Sequence, residues 1–114
     1  AVYLIPPVVD LCAHQNYLYR MTAISAVAQL FAVVPRDHAL RARMVPALVA
    51  GVNDPVPNCR FNACKAIALA CKAIDSPTLE STVLPALSAM SSDEDPDVKY
   101  FASKALQGCM EVGG

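Results

Sequence analysis

Apolar residues recur along this chain at helical spacing, in runs separated by short polar clusters. Val45, Leu48 and Val52 form one run, and Val83, Leu87 and Met90 another. A longer stripe of Phe61, Cys64, Ile67, Cys71 and Ile74 carries Lys65 and Lys72 a heptad apart on a different face, the pattern of an amphipathic helix with one polar edge. The spacing predicts helices near residues 2–13, 17–34, 39–52, 57–74, 78–91 and 96–111. Asn16 and Asp95 fall where a side-chain oxygen can cap the following helix. Val56 holds that place in the middle cluster, where Pro57, like Pro96, suits a first helical turn. Pro46 and Pro85 lie inside predicted helices and mark either a helix start just before them or a bend.

The pattern repeats. Aligning the polar clusters on their bases gives Arg20, Arg60 and Lys99, preceded by Pro7, Pro46 and Pro85 at 13, 14 and 14 residues. Beyond the bases the register continues through Ala23, Ala63 and Ala102, then Ala26, Ala66 and Ala105. A fixed period of this length predicts an all-α solenoid of three antiparallel helix pairs, over residues 1–37, 38–75 and 76–114. Charge rises along the second helices, so the third unit reads as a C-terminal cap. The chain opens at Ala1 within an apolar run, so a fragment of a longer repeat protein is expected. Val2 to Val9 should then expose apolar surface through which the first unit self-associates.

Composition removes several function classes. A net charge of −1 gives no electrostatic footprint for nucleic acid or an acidic membrane surface. The uncharged stretch 21–35 is too short to span a bilayer and reads as a buried helix. Five cysteines with no Cys-x-x-Cys pair fit reduced thiols, and so a cytoplasmic location, with the nucleus a second compartment. His14 and His38 fall in different units, away from any cysteine cluster at metal-ligand spacing, so no metal site is expected. Asp10 and His14 are four apart on a helix and can touch, but no Ser or Cys is placed to complete a triad with them, and no Gly-rich phosphate loop exists. Neither enzyme activity nor a cofactor is expected.

Four features carry charge to a surface. Asp54 and Arg60 are six apart, as are Asp93 and Lys99, which predicts an ion pair ordering each of those two loops. The first loop has His14 where the acid would be, leaving Arg20 without an intramolecular partner and open to another protein. Asp93, Glu94, Asp95 and Asp97 crowd the third loop, where the helix dipole favours acids. Arg36, Arg41 and Arg43, at the opposite edge, read as a solvated face.

The period and the Asp-Pro-x-x-x-Arg flavour of the turns resemble HEAT repeats. More narrowly, Asn-Tyr-Leu-Tyr-Arg-Met-Thr (16–22), Asp-Pro-Val-Pro-Asn-Cys-Arg-Phe-Asn (54–62) and Asp-Val-Lys-Tyr-Phe-Ala (97–102) resemble the last repeats of the scaffold-subunit family of protein phosphatase 2A. That resemblance implies a non-catalytic scaffold whose intra-repeat turns hold the phosphatase catalytic subunit, with regulatory subunits bound through repeats outside this chain. It carries Tyr17 and Arg20 over as contacts directly, and Val56 and Asn58 by their place in the next turn. The alternative is a HEAT-repeat adaptor of another system, such as nuclear transport, taking peptides on its concave second-helix face.

Overall fold

The computed structural model describes residues 5–31, 33–34 and 39–113. Six helical elements lie among them: α1 (Ile5–Leu11), α2 (Tyr17–Leu30), α3 (Arg41–Val52), α4 (Pro57–Ala70), α5 (residues 76–90) and α6 (Pro96–Gly113). They stack as two layers in a slab of 37 × 36 × 17 Å. One layer holds the first helix of each pair (α1, α3, α5) and the other the second (α2, α4, α6). Helix α4 is the centre of the stack, flanked by α2 and α6 and backed by α3. This is the predicted all-α solenoid.

The core lies between the layers. Ala23, Ile24, Val27 and Phe31 of the α2 segment meet Met44, Leu48 and Val52 of α3; Ala63, Ala66, Ile67 and Ala70 of α4 continue into Leu79, Val83 and Leu87 of α5 and Val98, Ala102 and Ala105 of α6. Burial of such side chains is the main favourable term, at about 25 cal/mol per Å² of apolar area. Alanine recurs at 23, 63 and 102, all buried, so the second helices pack side by side with little between them. Gly51 takes this further: a Cβ there would come within 2.6 Å of Ile24 Cδ1 and 2.9 Å of Ala63 Cβ. Phe61, expected on the apolar stripe, is only half-buried, and Cys59 lies in the core instead.

Several helix ends differ from expectation. The start predicted for α1, like Arg36 and His38, falls outside the described residues. Helix α2 closes at Leu30 rather than near residue 34, with the Val33 and Val34 N–H groups both returning to Leu30 O. Helix α4 closes at Ala70 and tightens into a 3₁₀ turn, Cys71–Ala73. Arg41 accounts for both closures. Its Nη2 donates to Phe31 O at 3.1 Å and Val34 O at 2.7 Å, its Nη1 donates to Ala73 O, and its guanidinium lies 5.2 Å from the centroid of the Phe31 ring. The arginine expected on a solvated face thus satisfies orphan carbonyls at two helix ends. Arg43 reaches Asp10 at 2.8 Å, an exposed pair that turns Asp10 toward α3 rather than His14.

The two internal prolines resolve differently. Pro46 sits in a regular α-helix, near enough the start that the carbonyl it leaves unbonded, on Ala42, is on an exposed residue. Pro85 lies deeper. Helix α5 begins at Ser76–Thr78, capped by Asp75, which accepts from the Thr78 N–H and hydroxyl. It then widens to a π turn over Leu79–Val83 before Leu84–Met90 resumes α geometry. Leu84 N–H bonds Leu79 O, one residue further back than in an α-helix, and a turn widened in this way accommodates a proline ring that would otherwise meet the carbonyl four residues before it.

The two described glycines with room to compare give opposite expectations. Gly51→Ala overpacks the α2–α3–α4 junction and costs about 1–3 kcal/mol. Gly108→Ala meets nothing within 4 Å and raises stability by about 0.5–1 kcal/mol through helix propensity. Thermal or urea denaturation of the two variants checks the pair.

Candidate partner-binding ridge

The three intra-pair turns line one edge of the slab, and a repeated hydrogen-bond unit builds them. In the second turn, Asp54 Oδ1 accepts from Val56 N–H at 2.9 Å; in the third, Asp93 Oδ1 accepts from Asp95 N–H at 2.9 Å. Each carboxylate closes its own loop two residues on. His14 does the same in the first turn with a ring nitrogen: its Nδ1 accepts from Asn16 N–H at 2.9 Å. Asn16 and Asp95 cap as predicted, Asn16 accepting from Leu18 N–H and Asp95 from Asp97 N–H and Val98 N–H.

The bases tie one turn to the next. Arg20 Nη1 donates to His14 O and Gln15 O, both at 2.9 Å, and its other donors grip Asp54, Nε to Oδ2 at 2.7 Å and Nη2 to Oδ1 at 3.0 Å. Arg60 repeats the arrangement one unit on. Its Nη1 donates to Asp54 O and Pro55 O, Nη2 to Asp93 Oδ1 at 3.3 Å, and Nε stands 3.1 Å from Asp93 Oδ2 but off the hydrogen-bonding direction. Two expectations are corrected here. Asp54 and Arg60 do not pair side chain to side chain within their loop, nor do Asp93 and Lys99; each aspartate instead takes the arginine of the preceding unit. Nor does Arg20 stand free. Its side chain is 14% exposed and that of Asp54 7%, so this is a largely desolvated, forked pair. Lys99 is exposed and makes no ion pair among the described residues.

Electrostatics follow the geometry. Burial pushes the Asp54 carboxyl up, but the Arg20 hydrogen bond, the Val56 N–H and the Arg20 charge outweigh it and hold the group below its ordinary range. The bond to Asp54 raises Arg20 in turn. The five cysteines are free thiols, and burial pushes Cys12 and Cys64 up to about 11 and Cys109 to about 12. Such groups stay protonated and unreactive near neutrality. Among the described residues no group of three or more His, Cys, Asp or Glu is placed to hold a metal ion, and no helix is long and apolar enough to cross a membrane.

Of the residues expected to meet a partner, Tyr17 is 39% exposed, Asn58 is exposed, Val56 is half-buried, and Arg20 is engaged in the rung. The resemblance implied Tyr17 as a contact and did not name Tyr19. The counterparts of Tyr19, Cys59 and Val98, are fully buried, and Cys59 Sγ lies 3.5 Å from Tyr17 O of the preceding turn. Tyr19 itself is 55% exposed, with its ring edge-on to His14 at 4.6 Å, and with Leu11, Tyr17 and Leu18 it makes the first turn the most apolar part of the ridge. The signal was a tyrosine aligned with a cysteine and a valine.

A family model described as HEAT repeat matches residues 44–74 and 83–113. Among curated proteins, the A-type regulatory subunit of protein phosphatase PP2A from Saccharomyces cerevisiae is 36% identical over 109 residues, covering 90% of this chain and 17% of the relative. The Schizosaccharomyces pombe protein of the same name is 40% identical over 63 residues, covering 55% of this chain and 10% of its own. The human beta isoform of the 65 kDa A-type regulatory subunit of serine/threonine-protein phosphatase 2A is 41% identical over 51 residues, covering 45% of this chain and 8% of its own. The chain thus spans less than a fifth of the length of these relatives, which are regulatory subunits by name; the helical segment they share is non-catalytic. Among solved structures, that of Cex1p superposes with a TM-score of 0.77 at 14% identity, over 93% of this chain and 20% of that one, a likeness of fold.

Because the folded value for Asp54 lies below its unfolded one, the rung's contribution to stability is complete above about pH 4 and is lost as pH falls through the folded value. Asp54→Ala, which orphans the Val56 N–H, costs about 1–3 kcal/mol at neutral pH. Asp54→Asn, whose amide oxygen still accepts from Val56, costs less. Melting curves from pH 7 to pH 2 should show a shallower acid dependence in both variants than in the parent.

Proposed function

The chain belongs to the HEAT-repeat family, and we propose that it is a non-catalytic scaffold segment whose intra-repeat turns dock the catalytic subunit of a type 2A serine/threonine phosphatase. The observation that carries this reading is the row of three turns on one edge, locked in mutual position by the Arg20–Asp54 and Arg60–Asp93 pairs. A rigid ridge meets a partner at low entropic cost, because its side chains are ordered before contact. The similarity to a PP2A regulatory protein over 90% of the chain supports the choice of partner. Tyr17 and Asn58 are the contacts, with Val56 beside them, and Arg20 is a positioning residue that sets the offset of the first two turns. Regulatory subunits bind through repeats outside this chain. The five free thiols support a cytoplasmic setting, shared with the nucleus.

Co-precipitation with the phosphatase catalytic subunit tests the reading. Tyr17→Ala/Asn58→Ala should weaken capture about tenfold or more with an unchanged melting temperature, whereas Arg20→Ala should lower both. Full capture by the double variant would overturn the site.

The exposed Leu11, Tyr17, Leu18 and Tyr19 also support self-association of this segment through its first repeat when no partner covers it. Sedimentation equilibrium should show a mass that grows with protein concentration, and Leu18→Glu should hold the chain monomeric. A parent chain that stays monomeric throughout removes this part of the proposal.

A further inference from the structure

Away from the ridge, the second-helix face of the last two repeats carries a cluster that the docking function leaves unused. Phe61 of α4 and Phe101 of α6 stack across the helix pair at 5.6 Å with planes 24° apart, and Tyr100 meets Phe101 edge-on at 5.2 Å. Lys65 Nζ lies 5.2 Å from the centroid of the Phe101 ring, and Lys104 Nζ 5.4 Å from that of Tyr100. Both ammonium groups therefore rest on aromatic faces, and among the described residues neither has a carboxylate. Helix α4 contains no acid at all, and its other base, Arg60, is committed to the ridge. The acids of α6, Asp97 and Glu111, form no ion pair with either lysine. Tyr100 is 54% exposed.

An ammonium over a ring contributes about 0.5–1 kcal/mol at an exposed site and keeps donors directed outward. Two such groups flank one aromatic cluster, against Asp97 as the acid a turn before Tyr100 on the same helix, and leave a local excess of positive charge over an apolar floor. We infer that this face binds an acidic linear segment of a partner protein, its carboxylates on Lys65 and Lys104 and an aromatic or aliphatic side chain on the Tyr100 and Phe101 rings. Charge complementarity selects the occupant. A nucleic acid needs several phosphates neutralised along a basic track, whereas this patch offers two cations around an apolar floor, the combination that a mixed acidic and hydrophobic peptide matches. The site lies on helix faces rather than turns, so it does not depend on the phosphatase reading.

The test is fluorescence anisotropy with a fluorescein-labelled dodecapeptide of glutamate interspersed with leucine and phenylalanine, against the same peptide with lysine for glutamate. The parent chain should bind the acidic peptide and not the basic one. Lys65→Glu/Lys104→Glu should weaken binding about tenfold or more. Tyr100→Ala should weaken it less, and Tyr17→Ala/Asn58→Ala should leave it unchanged. Lys65→Gln/Lys104→Gln, which keeps the stems and adds no acid, guards against misfolding and should also lose affinity. Absent or equal binding across parent and lysine variants would overturn the inference, as would tighter binding of a single-stranded RNA 12-mer that also depends on the two lysines.

Discussion

The forked guanidinium of each ridge arginine is the interaction on which the arrangement rests. Arg20 collects two carbonyls of its own turn and the carboxylate of the next, and that carboxylate is already fixing the shape of its own loop through Val56 N–H. Loop conformation and inter-repeat offset are therefore one property. A lysine could not do this, because a single ammonium lacks the planar fork that reaches two carbonyls and a bidentate acid together. Lys99 occupies the same position in the third turn, where the described residues present no acid of a further unit for it to take.

The opposite edge is held by a related device. Arg41 gathers carbonyls from the end of α2 and from the 3₁₀ turn after α4, so that both edges of the slab are stitched by arginine to main-chain oxygen. Between the edges, Gly51 and the alanines let helices approach closely enough that few large side chains are needed. The packed interior takes up the apolar side of α2 to α6, while α1 buries none of its described residues fully. What remains for recognition is the ridge and the second-helix face.

The fold was legible because the prolines, the bases and the alanines keep one period, and a solenoid repeats its local chemistry as faithfully as its sequence. The pairing was not. Asp54 lies six residues before Arg60 and thirty-four after Arg20, and sequence spacing favours the nearer base, yet the nearer base spends its donors on the loop's carbonyls and on Asp93. His14 was equally opaque, since replacing an aspartate by histidine suggests a lost interaction when a ring nitrogen in fact accepts the same N–H. The π turn before Pro85 depends on how deep a proline falls within its helix, and the helix start at Ser76 is set by Asp75, a cap outside the repeating pattern. Tyr19 needed the stacking direction to be known before its exposure could be inferred.

Because each rung runs from the base of one unit to the acid of the next, the ladder has a direction, and this constrains how such a chain can grow. A tandem duplication of the middle unit would set the Arg60 of one copy against the Asp54 of the next and preserve every link. Duplicating the first unit would set Arg20 against His14, an imidazole already occupied at Nδ1, and open the array at that seam. Lengthening by copying is therefore permitted from the middle unit and penalised from the first.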